Sequence, residues 1–355
     1  MKKSITGASA ANMLQLKKLQ QAVEAAPVNN DMGEFLHYRE KLSLQDKGTY
    51  DRLREGILSF HKKIDMPTGE NHKYENIYKY VLFDTPMMFH VDGCNVLSVG
   101  KDVSILPKYV MSANSYRHYK EECMSEVRRI IRQIKEKSEW DNLLAIHSYL
   151  VSVVSYREGG VGEHDITGPL LKRYGVCDGI AKAVKSICDA ISLPCVVIDG
   201  EARQENGNTG SHAWNAIKID GRWQYYDFTF DLTLNQNNPC KNIVCTDYFG
   251  LNYNQMSKDH FSWSTNLTTS SVHDDYFTKH NLVVAKQSEL EDMIFCGFKK
   301  GTVDFTFKVS DTWRGFVISD VLKTIVDKAV KRNNKGYQYT YTFNDVQRTG
   351  YVRIK

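Results

Sequence analysis

A thiol, an imidazole and a carboxylate in suitable positions can together break an amide bond, and this chain offers one such set. Cys177 stands in RYGVCDGIAKA, residues 173–183. Ala181, Val184, Cys188 and Ile191 follow it at spacings of four, three, four and three, and Pro194 ends the run. That spacing predicts a helix with Cys177 in its first turn. Unpaired backbone N–H groups and the positive end of the helix dipole stabilise a thiolate there. Cys188 falls on the apolar face of the same helix and Cys195 in the strand that follows, so both read as core.

A thiol nucleophile needs a base, and the base needs a third group to hold its tautomer and its charge. HAWNAIKIDGRWQYYDFTF, residues 212–230, reads as a hairpin turning at Asp220 and Gly221. Counting outward sets Ile219 against Arg222, Trp214 against Asp227 and His212 against Thr229. His212, Trp214 and Asp227 then share one face of the sheet, because strand side chains alternate with period two. Asp227 becomes the diagonal neighbour of His212, with backbones about 7 to 8 Å apart, a gap two side chains can close. Asp231 has the same parity but lies beyond the histidine row, so it ranks second as the acid.

The rest of the sequence must position these three residues. Its 355 residues are enough for one large or two medium domains. Hydrophobic residues make up 42% and charged residues 25%, the balance of an ordinary globular chain. With 46 basic and 42 acidic residues, the formal charge of +4 gives no electrostatic case for nucleic acid or an anionic membrane. The N-terminal stretch lacks the apolar run of a signal peptide, and no run approaches a membrane span. A cytoplasmic location is therefore expected. The eight cysteines are scattered and form no disulfide framework, so most should be free and buried. Cys240, Cys245 and His260 lack a further close pair of ligands, so no zinc site is expected. No calcium loop is found either, and no cofactor is called for.

Four regions follow from the pattern. Residues 1–45 read as a mobile arm, with Leu14, Leu16 and Leu19 marking at most a short helix. Residues 46–138 read as helices and short strands, and include a helix face of Val127, Ile130, Ile131 and Ile134. Residues 139–275 form the core: a helix carrying Leu143, Leu144, Ile146, His147, Leu150 and Val154, then the cysteine helix, then antiparallel strands. Residues 276–355 read as a small β-α-β-β unit. Its Lys328, Lys331, Arg332 and Lys335 suit a solvated helix end better than a contact patch. The class is α+β.

YGVCDGIAKA resembles the G-V-C-x-G-x-A nucleophile motif of the transglutaminase-like cysteine peptidase superfamily. SHAWNAIKIDGRWQYYDFTFD resembles its H-A-W-N hairpin ending in D-x-T-[WF]-D, and SYLVSVVSYRE the helix and tyrosine ahead of them. YFGLNYNQMSKDHFSW is similar to the segment that follows the core in bacterial members, and FDTPMMFHVDG more loosely to their upstream half. The likeness covers roughly residues 140–263. It implies a papain-like core, a nucleophile helix packed on an antiparallel sheet, with Cys177 as nucleophile, His212 as base and Asp227 as orienting acid. Tyr156, Tyr174, Asp178 and Trp214 are the candidates for substrate or oxyanion support, with the backbone N–H of Cys177 or Asp178 as the natural oxyanion donor. Ile180 stands where many relatives have tyrosine, and Arg173 and Tyr174 replace small residues before G-V-C, departures that bear on substrate preference.

The expected activity is acyl transfer from a peptide or amide through a thioester. With water as acceptor this is a cysteine peptidase or amidase, the reading the likeness to bacterial members favours. With an amine it is a transglutaminase, the runner-up. A non-catalytic peptide-binding module is the third reading. The expected partner is a peptide or protein substrate.

Overall fold

The computed structural model describes residues 33–67, 71–134, 138–204, 207–267, 269, 274–313, 318–333 and 337–355. Most of the expected arm, residues 1–32, therefore lies outside the described residues, as does Lys335. Helices α1 (His37–Lys41), α2 (Leu44–Leu58) and α3 (Asn71–Asp84) accompany a three-stranded antiparallel sheet. Its strands β1 (Ile64–Met66), β2 (Val91–Val99) and β3 (Asp102–Tyr109) run in the order β1-β3-β2. Two longer helices follow, α4 (Ala113–Gln133) and α5 (Glu139–Val153). Serine starts both, with the hydroxyl of Ser112 accepting from Ser115 N and that of Ser138 from Asp141 N. Tyr116, Cys123, Val127 and Ile130 make the buried stripe of α4.

β4 (Ser155–Tyr156) pairs in parallel with β5 (Tyr174–Gly175), and a loop and one π-helical turn at Gly168–Lys172 lie between them. α6 (Cys177–Ala190) comes next and lies across the central sheet. That sheet consists of β6 (Cys195–Arg203), β7 (Thr209–Ile219), β8 (Arg222–Tyr226), β9 (Phe249–Leu251) and β10 (His260–Phe261). Its order is β10-β6-β7-β8-β9, antiparallel throughout. The turn at Asp220 and Gly221 forms as the sequence predicts, with both residues at positive φ and Ile219 paired with Arg222. The expected pairing of His212 with Thr229 does not form. β8 ends at Tyr226, and α7 (Phe228–Asn237) begins where the alternating FTFDLTL reads as strand. The Asp227 carboxylate caps that helix, accepting from Thr229 N and Phe230 N, and this cap outweighs the β-like pattern.

After α8 (Tyr253–Met256) and α9 (Tyr276–Lys279) comes the C-terminal unit. It contains β11 (Val283–Val284), α10 (Gln287–Lys299), β12 (Asp304–Val309), α11 (Ile318–Lys331), β13 (Tyr339–Asn344) and β14 (Thr349–Ile354), with strand order β11-β12-β14-β13. The expected β-α-β-β order is present as β12-α11-β13-β14, and β11 and α10 precede it within residues 276–355 as elements that the sequence reading did not include. The unit has its own apolar core around Leu290, Phe307, Leu322 and Val352. Buried Asp247 fastens it to the central sheet, accepting from Asn344 Nδ2 at 3.2 Å and from the Thr349 and Tyr351 hydroxyls. Arg332 is engaged by Glu291 and Asp292 and stacks on Phe295, as suits a helix end. No helix among the described residues is long and apolar enough to cross a membrane.

Phe35 and Tyr38, in a stretch read from the sequence as part of the arm, are tied to α6 and β6. Lys185 and Asp189, buried one turn apart on α6, pair at 3.0 Å, and Lys185 also donates to Phe35 O at 3.0 Å while Asp189 accepts from Phe35 N at 3.3 Å. Tyr38 is buried nearby and donates to Val197 O at 2.7 Å. A buried lysine is invisible to a composition reading, because Lys is among the residues least often buried. Removing one partner of such a pair strands the other charge. Lys185→Met is expected to lower the urea unfolding free energy by about 3 kcal/mol. Lys185→Met with Asp189→Asn should recover part of that loss, since no charge is then stranded.

Candidate active site

Cys177 is the first residue of α6 and is partly exposed. The first intrahelical bond at this end runs from Ile180 N to Val176 O, which leaves the N–H groups of Cys177, Asp178 and Gly179 in the first turn, beyond the reach of intrahelical carbonyls. The preceding loop is laid against this end of the helix: Val176 N donates to Glu163 O, and a Cβ on Gly179 would lie 2.1 Å from that same oxygen. Glycine at 179 is thus what lets the loop and the helix start touch. All eight cysteines are free, and Cys188 and Cys195 are core residues as expected.

His212 and Asp227 meet. His212 Nε2 lies 2.6 Å from Asp227 Oδ2, with the carboxylate fully enclosed and the imidazole nearly so. The ring of His212 stacks on Trp214 at 6.0 Å between centroids and is flanked by Phe230 at 4.7 Å. Burial by itself would push the imidazole down. The Asp227 charge and hydrogen bond, together with a hydrogen bond and charge from Cys177, outweigh it and raise the His212 pKa to about 10. Burial would likewise push the Asp227 carboxyl up, but the His212 charge and the bonds from His212 and His260 hold it well below the usual carboxylate range. The pair therefore stands as imidazolium and carboxylate, with the thiol of Cys177 against the ring.

Both oxygens of Asp227 are occupied. Oδ1 accepts from Thr229 N at 2.9 Å and Phe230 N at 3.0 Å, while Oδ2 faces His212 and, at 3.0 Å, His260 Nε2. His260 is the residue the sequence reading missed in this role, having weighed it only beside Cys240 and Cys245. Those two cysteines are elsewhere: Cys240 Sγ faces Thr340 O and Tyr351 O, and Cys245 Sγ meets Asn238 Nδ2. The signal that could have found His260 is the Asp259-His260 dipeptide ahead of an aromatic, a carboxylate and an imidazole side by side at the start of a short strand. His212, Asp227 and His260 present ligand-type atoms within 4.8 Å of one another. The 2.6 Å between His212 Nε2 and Asp227 Oδ2 is a hydrogen-bond distance. Two ligand atoms on a tetrahedral metal with bonds of about 2.0 Å would stand about 3.3 Å apart.

The remaining candidates are dispersed around this centre. Trp214 is buried beneath His212, where it supports the ring and cannot touch a substrate. Asp178 turns its carboxylate to His164 Nδ1 at 2.8 Å and Lys182 Nζ at 2.9 Å, so only its backbone N–H is directed by the helix start. Tyr156 is partly exposed and donates to Glu158 Oε1 at 3.2 Å; burial first and the Cys177 and Glu158 charges after it raise its pKa. Tyr174 donates to Val161 O at 2.8 Å and stacks under Arg157. Asp231, the second-ranked acid, does not approach His212; its Oδ2 meets His147 Nε2 at 2.8 Å in the core.

Residues 127–228 match the sequence model of the transglutaminase-like superfamily, a span that contains Cys177, His212 and Asp227. Kyphoscoliosis peptidase of Mus musculus is 33% identical over 61 residues, which cover 15% of this chain and 9% of that protein. A candidate cysteine protease from Cytophaga hutchinsonii superposes with a TM-score of 0.27 and 14% identity, over 39% of this chain and 62% of its own. A structure described as a TGase gives a TM-score of 0.27 and 11% identity, over 47% and 50%.

The charge state of the pair sets a pH dependence. A histidine raised to about 10 contributes stability that is fully present below its unfolded value of about 6.5 and is lost as pH rises through the folded value. A depressed aspartate contributes stability present above about 3.9 and lost as pH falls toward its folded value. The stability difference between wild type and His212→Gln, followed by urea unfolding, is expected to be largest between about pH 4 and 6.5. It should shrink steadily toward pH 10. A difference that grows above pH 7 would contradict the ion pair.

Proposed function

We propose that the protein is a cysteine-dependent acyl-transfer enzyme that hydrolyses a peptide or amide bond, with Cys177, His212 and Asp227 as its catalytic triad. The observation that carries this reading is the charged His212 and Asp227 pair set against a partly exposed thiol at a helix start. His212 holds a proton, and an imidazolium beside the Cys177 sulfur stabilises it as the attacking anion. Its sulfur attacks the carbonyl carbon, and the backbone N–H groups of Cys177 and Asp178 face the developing oxyanion. Because Nε2 of His212 is tied to Asp227, Nδ1 is the nitrogen that delivers the proton to the departing amine. The acyl group remains on sulfur as a thioester.

Water then attacks the thioester carbon, His212 Nδ1 takes its proton, and the carboxylic acid leaves as the thiolate returns. A peptidase among the relatives and the superfamily match support hydrolysis of a peptide or protein. Transfer to an amine uses the same residues and differs only in the acceptor.

Cys177→Ser and His212→Ala are each expected to lower amide or peptide cleavage at least a thousandfold while the protein stays folded, since members of a triad act as a unit. Limiting iodoacetamide at neutral pH should label Cys177 before the exposed Cys296. Equal labelling of the two would refute a thiolate at 177. Ammonia release that requires an added amine would assign the transferase reaction; cleavage in water alone assigns the hydrolase.

A further inference from the structure

His260 has no solvent-exposed side-chain surface, and both of its ring nitrogens face carboxylates. Nε2 lies 3.0 Å from Asp227 Oδ2, and Nδ1 lies 2.7 Å from Asp259 Oδ1. A neutral imidazole has one donor and one acceptor nitrogen, so it satisfies only one of two ionised carboxylates; the imidazolium satisfies both. The other oxygen of Asp259 accepts from the Tyr248 hydroxyl at 2.6 Å, which fixes that carboxylate in turn. The result is a buried line from Tyr248 through Asp259, His260 and Asp227 to His212, where the Cys177 thiol stands.

We propose that His260 is a positioning residue for the reaction read above: held as an imidazolium between Asp259 and Asp227, it fixes the Asp227 carboxylate and tempers its pull on His212. The inference rests on that reading for its catalytic meaning. The charge of His260 stands on geometry alone. Its ring centroid is 5.5 Å from that of His212, so its positive charge works against a second one on His212 and in favour of a thiolate on Cys177. The other groups that bear on it come from every neighbouring segment. They are Tyr248 ahead of β9, Asp259 and Lys258 in its own segment, and Asp231 and Asp247, which act through Asp227 and Tyr248. Trp214 and Phe230 flank the ring at 4.8 and 5.0 Å between centroids, and its side chain has no exposed surface.

The position in the fold supports the role. His260 lies on β10, which pairs with β6, with His260 opposite Ala202. His212 lies on β7, on the other side of β6, opposite Gly200. A Cβ on Gly200 would come within 2.5 Å of Phe261 O and 2.8 Å of the Trp214 ring. Glycine there lets β10 close over the sheet and brings its histidine to the carboxylate.

The test is the pH dependence of Cys177 alkylation by iodoacetamide, with nitrogen NMR of labelled histidines on the same full-length protein. In wild type, His260 should show both ring nitrogens protonated at pH 7. His260→Gln keeps a donor for Asp227 but removes the charge, and should move the acid limb of alkylation up by roughly half to one pH unit. Asp259→Asn, a second variant should the first fail to fold, removes the anion that holds the proton and should shift the limb the same way by less. A neutral His260 ring in wild type overturns the proposal. So does a limb left in place by a folded variant whose alkylation merely slows at every pH. Failure of the triad reading looks different: Cys177 reacts no faster than Cys296 while His260 still shows its imidazolium signature.

Discussion

The site depends on one buried carboxylate with no idle oxygen. Taking Asp227 out of water costs several kcal/mol, and the cost is met because every lone-pair direction is used. Two backbone N–H groups of α7 meet Oδ1, and two imidazoles meet Oδ2. Those four donors come from three places in the chain: the first turn of α7, the middle of β7 and the short strand β10. The carboxylate therefore orients His212 and also pins the start of a helix to a sheet. The position of His212 and the local fold are one constraint, so a change at Asp227 cannot affect only one of them.

A second histidine and aspartate pair, four residues further along α7, shows what this arrangement adds. His147 and Asp231 are as deeply buried and as close, at 2.8 Å. Burial there pushes the imidazole down to about 3 and the carboxyl up, so the pair shares its proton as a neutral couple. Asp231 accepts from the backbone N–H groups of Tyr248 and Asp247 and feels the like charges of Asp247 and Asp227. Asp227 accepts two N–H groups at the positive end of a helix and faces a second imidazole. Residue type and distance are alike in the two pairs. The second imidazole on Asp227 and the like charges around Asp231 decide which pair holds separated charge.

Much of this site was legible in the sequence, and its limits follow the range of the forces involved. The α6 helix showed as apolar spacing from Cys177, and the hairpin as alternation around Asp220 and Gly221, because both patterns are local. The count from the turn brought His212 and Asp227 to one face, although β8 stops a residue before Asp227 and a helix begins where strand was expected. There the cap made by the Asp227 side chain overrode the β-like alternation of the residues after it. His260 approaches Asp227 from 33 residues away through a strand of two residues, too short to show a period. Lys185 escaped notice for a similar reason. Its partner Asp189 lies on the same helix, but its burial depends on Phe35, 150 residues away.

The same physics separates Cys177 from the other thiols. Burial pushes Cys123 up to about 12 and raises Cys245 further, while Cys188 is raised by its hydrogen bond to Cys195 and by burial. Burial also raises partly exposed Cys94 and buried Cys240. In each case the net effect disfavours the thiolate, even where Lys185, Lys108 or Arg353 opposes it at Cys188, Cys94 and Cys240. Cys177 instead combines partial exposure, the N–H groups of a helix start and an imidazolium at its side. Each of these conditions is set by a different element: the loop that Gly179 admits, the first turn of α6, and the sheet that carries His212. The setting of the Cys177 thiol is thus a property of how α6 docks on β6 and β7, and Asp227 is the group through which the sheet holds His212 to that docking.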